Sequence, residues 1–84
     1  MNIILTQSEF DELHKQDPHS AGDGGFQSLL VHLQEKTDSA TREMSLTASD
    51  VERIHRYAFD YKNGGWQNRL LNIFARSLGA NLTI

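Results

Sequence analysis

The chain has no cysteine, only one proline, and no aliphatic run longer than Ile3-Ile4-Leu5 or Leu29-Leu30-Val31. Without cysteine there are no disulfides, no thiolate metal sites and no thiol nucleophile. A membrane-spanning helix needs about 20 apolar residues, and no signal-peptide core is present; a cytoplasmic protein without a membrane span is expected. Apolar residues make up 38% and charged residues 23% of the 84. That balance belongs to a folded globular chain rather than a disordered one. A single domain over 1–84 is expected. A chain this short hides only about 60% of its unfolded surface, so the core is thin and each buried contact counts.

The net charge of −3 conceals an asymmetry. Residues 1–41 carry Lys15 and Lys36 against seven acids, whereas residues 42–84 carry six basic residues against four acids. An acidic half and a mildly basic half suit an oriented partner or self-association as well as ordinary solvated helix faces.

The sequence repeats itself. Residues 5–15, LTQSEFDELHK, align with residues 46–56, LTASDVERIHR, at a shift of 41. Asp23-Gly24-Gly25-Phe26-Gln27 aligns with Asn63-Gly64-Gly65-Trp66-Gln67 at a shift of 40. Matching helix caps together with a Gly-Gly-aromatic-Gln block indicates a duplication rather than two similar amphipathic helices. The repeats are placed at about 5–34 and 46–78.

Each copy predicts two helices. Thr6 with Glu9, and Thr47 with Asp50, have the spacing of capping boxes, the second with a shorter-armed acid. Leu5 with Phe10, and Leu46 with Val51, have the spacing of hydrophobic staples. In the second copy Val51, Ile54, Ala58 and Tyr61 form one apolar stripe, so the helix runs to about Tyr61. In the first copy Pro18 cuts the helix short. Asp23 and Asn63 read as N-caps of the second helices, which bury Phe26, Leu30 and Leu33 in one copy and Trp66, Leu70, Ile73, Phe74 and Leu78 in the other. Gly79 reads as a helix stop. Residues 35–46 form a polar connection. The segments Asn2–Leu5, Glu43–Leu46 and Leu82–Ile84 are short and partly alternating, which allows a minor strand pairing. The expected fold is mainly all-α: two tandem helix-loop-helix repeats forming a pseudo-twofold four-helix domain.

Several constellations point away from cofactor chemistry. The Gly-Asp-Gly-Gly at 22–25 lacks the lysine and hydroxyl of a phosphate-binding loop. The glycine pairs read instead as close-approach points, facing each other across the pseudo-dyad. Loops counted from Asp17 or Asp60 end in Ser28 or Leu71 where a calcium loop needs a bidentate acid. His14 and His55 are repeat-equivalent but lack tight ligand spacing, and each sits late in a helix where the dipole favours it. No nucleophile motif appears, and Asp11 and Glu12 diverge by about 100° on a helix. Neither an enzyme nor a cofactor or metal is expected.

Two binding readings remain. The second copy has a helix-turn-helix shape, with Gln67, Asn68 and Arg69 on the first turn of its second helix, residue types that read base edges. Arg53, Arg56, Lys62 and Arg76 supply candidate phosphate contacts. A sequence pI near 5.7 opposes duplex binding, whose affinity rests on cations. Gln27 and Gln67 also read as structural, satisfying backbone groups of the opposing helix. Trp66, read as core or as contact residue, would with Tyr57 and Arg69 suit a protein-binding hot spot.

With Gly24-Gly25-Phe26-Gln27-Ser28-Leu29-Leu30 and Arg56-Tyr57-Ala58-Phe59-Asp60-Tyr61…Gly64-Gly65-Trp66-Gln67-Asn68-Arg69-Leu70 in view, the chain resembles a group of short bacterial proteins of phages and integrative elements. The resemblance spans most of residues 20–79 and carries no functional residue with it. In size and setting it is similar in kind to anti-CRISPR and other anti-defence inhibitors, which implies a protein that occupies a surface on a larger host nucleoprotein complex. The acidic first copy, Glu9, Asp11, Glu12 and Asp17, would meet a basic groove there. A small DNA-binding regulator and a structural homodimer are the alternatives.

Overall fold

The computed structural model describes the backbone of residues 1–83 and the side chains of residues 1–79. The elements run β1 (Asn2–Ile4), α1 (Gln7–His14), a 3₁₀ turn (Pro18–Gly22), α2 (Gly25–Lys36), β2 (Glu43–Ser45), α3 (Ala48–His55), a π turn (Arg56–Asp60) and α4 (Gly64–Thr83). Each repeat is therefore a short strand followed by two helices. The fold is mainly helical, with one two-stranded antiparallel sheet.

The sheet lies on the pseudo-dyad. Ile3 pairs with Met44, its own repeat-equivalent, flanked by Asn2 with Ser45 and Ile4 with Glu43. The surrounding bonds are reciprocal. Leu5 N–H donates to Arg42 O at 3.0 Å and Leu46 N–H to Met1 O at 2.7 Å. The Met1 ammonium then donates to Leu46 O, and Arg42 Nε to Leu5 O. Every residue in this set is exchanged for its equivalent by the 41-residue shift.

Both capping boxes form. Thr6 Oγ1 accepts from Glu9 N–H and Glu9 Oε1 from Thr6 N–H; Thr47 and Asp50 repeat both bonds. Such caps are worth about 1 kcal/mol each. Behind them the core joins equivalent pairs: Leu5 with Leu46, Leu13 with Ile54, Leu30 with Leu70 and Leu33 with Ile73, all at most 2% exposed. Full burial of such side chains contributes about 1.5–3 kcal/mol apiece.

Several expectations are corrected. Asp23 does not cap α2. It closes the 3₁₀ turn, its N–H bonded to Ser20 O, and Gly24 takes the N-cap position without a side-chain bond. Asn63 does cap α4, accepting from Trp66 N–H at 3.1 Å. The glycine pairs do not face each other: a Cβ on Gly25 would overlap the Tyr57 hydroxyl, whereas one on Gly64 would meet nothing. Among the described residues, neither Gln27 nor Gln67 bonds the backbone of an opposing helix. Gln34 does so, its Nε2 donating to Leu13 O and Gln16 O where α1 ends. Gly79, with non-helical φ 40 and ψ −112, does interrupt α4 as a helix stop would, but a second helical stretch follows the kink and runs to Thr83. Leu82 and Thr83 are thus helical rather than strand, and Ile84 lies outside the described residues.

Candidate protein-interaction face

The chain from α3 into α4 carries three of the four rings of an aromatic cluster. The π turn at Arg56–Asp60 is wider than an α-turn, and this slows the advance of the apolar stripe. Ile54 and Ala58 stay in the core, but Tyr61 comes round to the outside and is 52% exposed. The sequence spacing had placed Tyr61 with the core, and so missed it as a surface residue. Its legible signal is the four-residue spacing from Tyr57, which brings neighbouring rings together on a helix.

The cluster is closely packed. Trp66 and its repeat-equivalent Phe26 stack with centroids 5.0 Å apart and planes 9° from parallel. Tyr57 meets the edge of Trp66 at 5.6 Å and stacks on Tyr61 at 4.8 Å. Tyr61 meets Trp66 nearly perpendicularly at 5.7 Å. Offset stacks and edge contacts of this kind add about 0.5–1.5 kcal/mol each beyond area burial. Phe26 is buried, Trp66 and Tyr57 are half-buried, and Tyr61 lies outermost. Trp66 is accordingly core on one face and surface on the other. Gly25 is required because the Tyr57 hydroxyl rests against its Cα.

Arg69 belongs to the same cluster. Its guanidinium lies 5.6 Å from the Phe26 ring centroid, and Nη1 donates to Gln16 Oε1 at 2.7 Å. Tyr57, Trp66 and Arg69, grouped by the sequence as one contact set, are brought together by these rings.

The acidic set divides. Glu9 is buried and bidentate to Arg76, with Oε1 at 2.8 Å and Oε2 at 3.2 Å, which removes it from any docking face. Burial opposes its ionisation, but the Arg76 hydrogen bond and the Thr6 N–H outweigh that and hold its pKa below the ordinary value. Asp11 is exposed and accepts from Gln7, and Glu12 pairs with Lys15 at 2.8 Å. Asp17 is exposed and caps the 3₁₀ turn through His19 N–H, the bond that chiefly lowers its pKa. Asp11 and Asp17 are the members that stand clear in solvent.

The base-reading set is also divided. Asn68 is exposed, Gln67 is half-buried, and Arg69 is committed to Gln16 and Phe26. Of the candidate phosphate contacts, Arg56 is bonded to Glu52, and Arg76 to Glu9 and Ile4 O. Lys62 is exposed and Arg53 half-buried. His14 stacks on Phe10 at 4.0 Å and His55 packs on Phe59 at 5.2 Å, each an aromatic four residues away on its own segment. Among the described residues, no cluster of three or more His, Asp or Glu is placed to hold a metal. No described helix is long and apolar enough to cross a membrane.

Comparison with known proteins identifies no relative: no family model matches the chain, and no curated protein or solved structure is significantly similar to it.

Proposed function

We propose that the chain is a non-catalytic protein-interaction module that docks through the aromatic face at Tyr57, Tyr61 and Trp66. The observation that carries this reading is the Tyr57–Tyr61–Trp66 cluster itself. One side is fixed to the core through Phe26, and the other side ends in Tyr61 at the surface. Tyrosine, tryptophan and arginine dominate interface hot spots. Rings already locked against one another lose little further freedom on binding, so more of their contact energy appears as affinity.

The partner class is a bacterial nucleic-acid-targeting complex that the module inhibits by occupying its surface. Two features support this. The Gly-Gly-aromatic-Gln blocks carry the resemblance to mobile-element proteins, and the exposed acids of the first repeat, Asp11, Asp17 and Asp23, suit a basic groove.

The test is capture of partners from bacterial lysate, with and without nuclease, by the tagged wild type and by Tyr61→Glu, side by side. A stoichiometric protein recovered by the wild type and lost with Tyr61→Glu supports the reading. Equal recovery by both removes the aromatic face from it, and recovery that depends on nucleic acid transfers the function to the helix-turn-helix alternative.

A further inference from the structure

Residues 62–65, which lead from the π turn into α4, are all exposed. Lys62 sits in the left-handed region at φ 53, where a residue with a Cβ is under mild strain. A Cβ on Gly64 would meet nothing within 4 Å. This open turn holds the only Asn-Gly pair in the chain, Asn63-Gly64.

Asn-Gly is a reactive pair. The backbone nitrogen of the second residue can attack the asparagine Cγ and close a succinimide ring, and glycine has no side chain to obstruct that approach. The attacking nitrogen, the carbonyl carbon and the departing Nδ2 must all be accessible. Gly64 is the first residue of α4, so its N–H is one of the donors that a helix leaves unpaired. Among the described residues nothing else accepts from it. Asn63 Oδ1 accepts from Trp66 N–H at 3.1 Å, whereas Nδ2 donates to no described residue. The Trp66 N–H therefore faces the oxygen on which negative charge builds as Cγ is attacked, and a fixed donor there stabilises that charge.

The other asparagines with described side chains lack this arrangement. Asn2, Asn68 and Asn72 precede Ile3, Arg69 and Ile73, and the last two lie inside α4, where the attacking nitrogen is tied into the helix. The repeat-equivalent pair Asp23-Gly24 keeps the glycine but offers a carboxylate, a poorer electrophile than an amide.

We infer that Asn63 is a site of spontaneous deamidation in the folded protein, and that its main product uncaps α4. Gly64 N loses its proton to solvent base and bonds Asn63 Cγ. The Cγ–Nδ2 bond breaks, and Nδ2 takes up a proton and leaves as ammonia. Water then opens the succinimide. Cleavage of the new N–Cγ bond gives aspartate. Cleavage between the same nitrogen and the backbone carbonyl carbon of residue 63 gives isoaspartate, the usual major product.

The two products treat the helix differently. Aspartate caps as well as asparagine does, and its charge suits a helix N-terminus. Isoaspartate lengthens the main chain by one carbon and turns the carbonyl that accepts from Trp66 N–H into part of the backbone. Trp66 stacks on Phe26 and meets Tyr61, so the change reaches the aromatic cluster. The inference stands apart from any role of that cluster in docking.

The full chain is incubated in warm, mildly alkaline buffer, with a parallel sample in urea, and followed by mass-spectrometric peptide mapping. Emission of Trp66, the only tryptophan, is read alongside. The expected result is first-order conversion of the Asn63 amide to isoaspartate and aspartate in native buffer, with Asn68 and Asn72 unchanged. The Trp66 emission should shift in proportion to the isoaspartate formed. Gly64→Ala, which the open space accommodates, should slow the conversion by about tenfold or more, an increase of about 1.4 kcal/mol in the barrier. Asn63→Asp should keep the emission of the fresh wild type.

Conversion in urea but not in native buffer would overturn the inference, because the cap would then protect Asn63. An equal rate in Gly64→Ala would overturn the succinimide route. Unchanged Trp66 emission in a chain largely converted to isoaspartate would overturn the uncapping.

Discussion

Arg76 on α4 bonds Glu9 at the start of α1, and the residues at the equivalent places, Lys36 and Asp50, make the same connection from α2 to α3. In each case the capping-box acid of one repeat is paired with the cation at the matching place, residue 36 or 76, of the other repeat's second helix. Glu9 and Asp50 are 8% and 5% exposed. The two bridges lock the repeats to each other, and they explain why these acids are interior residues rather than surface charges. His32 adds to the second bridge, with Nε2 3.0 Å from Asp50 Oδ1.

Removing one partner should therefore destabilise the fold. Lys36→Met keeps the packing of the stem and deletes the charge. We expect a loss of about 2 kcal/mol in urea unfolding, less than the roughly 3–5 kcal/mol of a fully buried pair because His32 and Thr47 still hold Asp50. Arg76→Met should lower the midpoint in the same direction by a smaller amount, since the arginine side chain is 53% exposed. Midpoints unchanged in both variants would remove the bridges from the account of stability.

The same carboxylates set the acid limit. Burial opposes the ionisation of Asp50, but hydrogen bonds from Lys36, Thr47 and His32 outweigh it and hold the carboxyl well below the ordinary 3.8. Glu9 is likewise held below 4.5. Both groups bind protons more readily in the unfolded chain, so their contribution is complete above about pH 4.5–5 and is lost as pH falls through the folded-state values. The urea midpoint should be flat in this respect from pH 7 to 5 and fall below it. Asp50→Asn and Glu9→Gln should flatten the acid limb while lowering the plateau; an acid limb of unchanged steepness would assign it to other groups.

Gly25 and Gly65 occupy equivalent places in different surroundings. Gly25→Ala forces a methyl into the Tyr57 hydroxyl and should cost about 1–3 kcal/mol, as overpacking does. Tyr57→Phe in the same chain should recover part of that cost. Gly65→Ala meets only Asn63 Oδ1, at 3.4 Å, and should be neutral or gain up to about 0.5–1 kcal/mol of helix propensity. Equal effects at the two positions in thermal unfolding would contradict the packing described.

Much of this was legible in the sequence, for identifiable reasons. Both capping boxes show because they are local signals, fixed by residues three apart, and the repeat shows because whole segments match at a shift of 40 or 41 residues. The short alternating segments Asn2–Leu5, Glu43–Leu46 and Leu82–Ile84 allowed a minor strand pairing without fixing which of them pair, and the first two do so with Ile3 opposite Met44. The partners of Glu9 and Asp50 were not legible, because each bridge joins residues of different repeats and the acids look solvated in one dimension. Lys36 and Arg76 do share the 40-residue shift, and that coincidence is the signal that would have found them. Gly25 looked symmetrical with Gly65 until Tyr57 filled the space beside it. Tyr61 was misplaced because a π turn leaves no mark in a pattern of three- and four-residue steps.

Trp66 and Tyr61 should separate stability from binding. Trp66→Ala removes the ring stacked on Phe26 and should cost about 3 kcal/mol, near the lower end for aromatic truncation because the ring is only half-buried. Tyr61→Ala should stay within about 1 kcal/mol in the same urea titration while weakening partner capture at least as much. Retention of full partner binding by a folded Tyr61→Ala would contradict a role for the outer ring.

Hydroxyl-radical footprinting of the captured complex tests the central claim most directly. If the aromatic face is the docking surface, Tyr57, Tyr61 and Trp66 will be protected on complex formation, while Met1 and Met44 at the sheet keep the reactivity they have in the free protein. Protection concentrated at Met1 and around Leu46, with Tyr61 and Trp66 as reactive as before, would contradict it and move the interface to the strand end of the molecule.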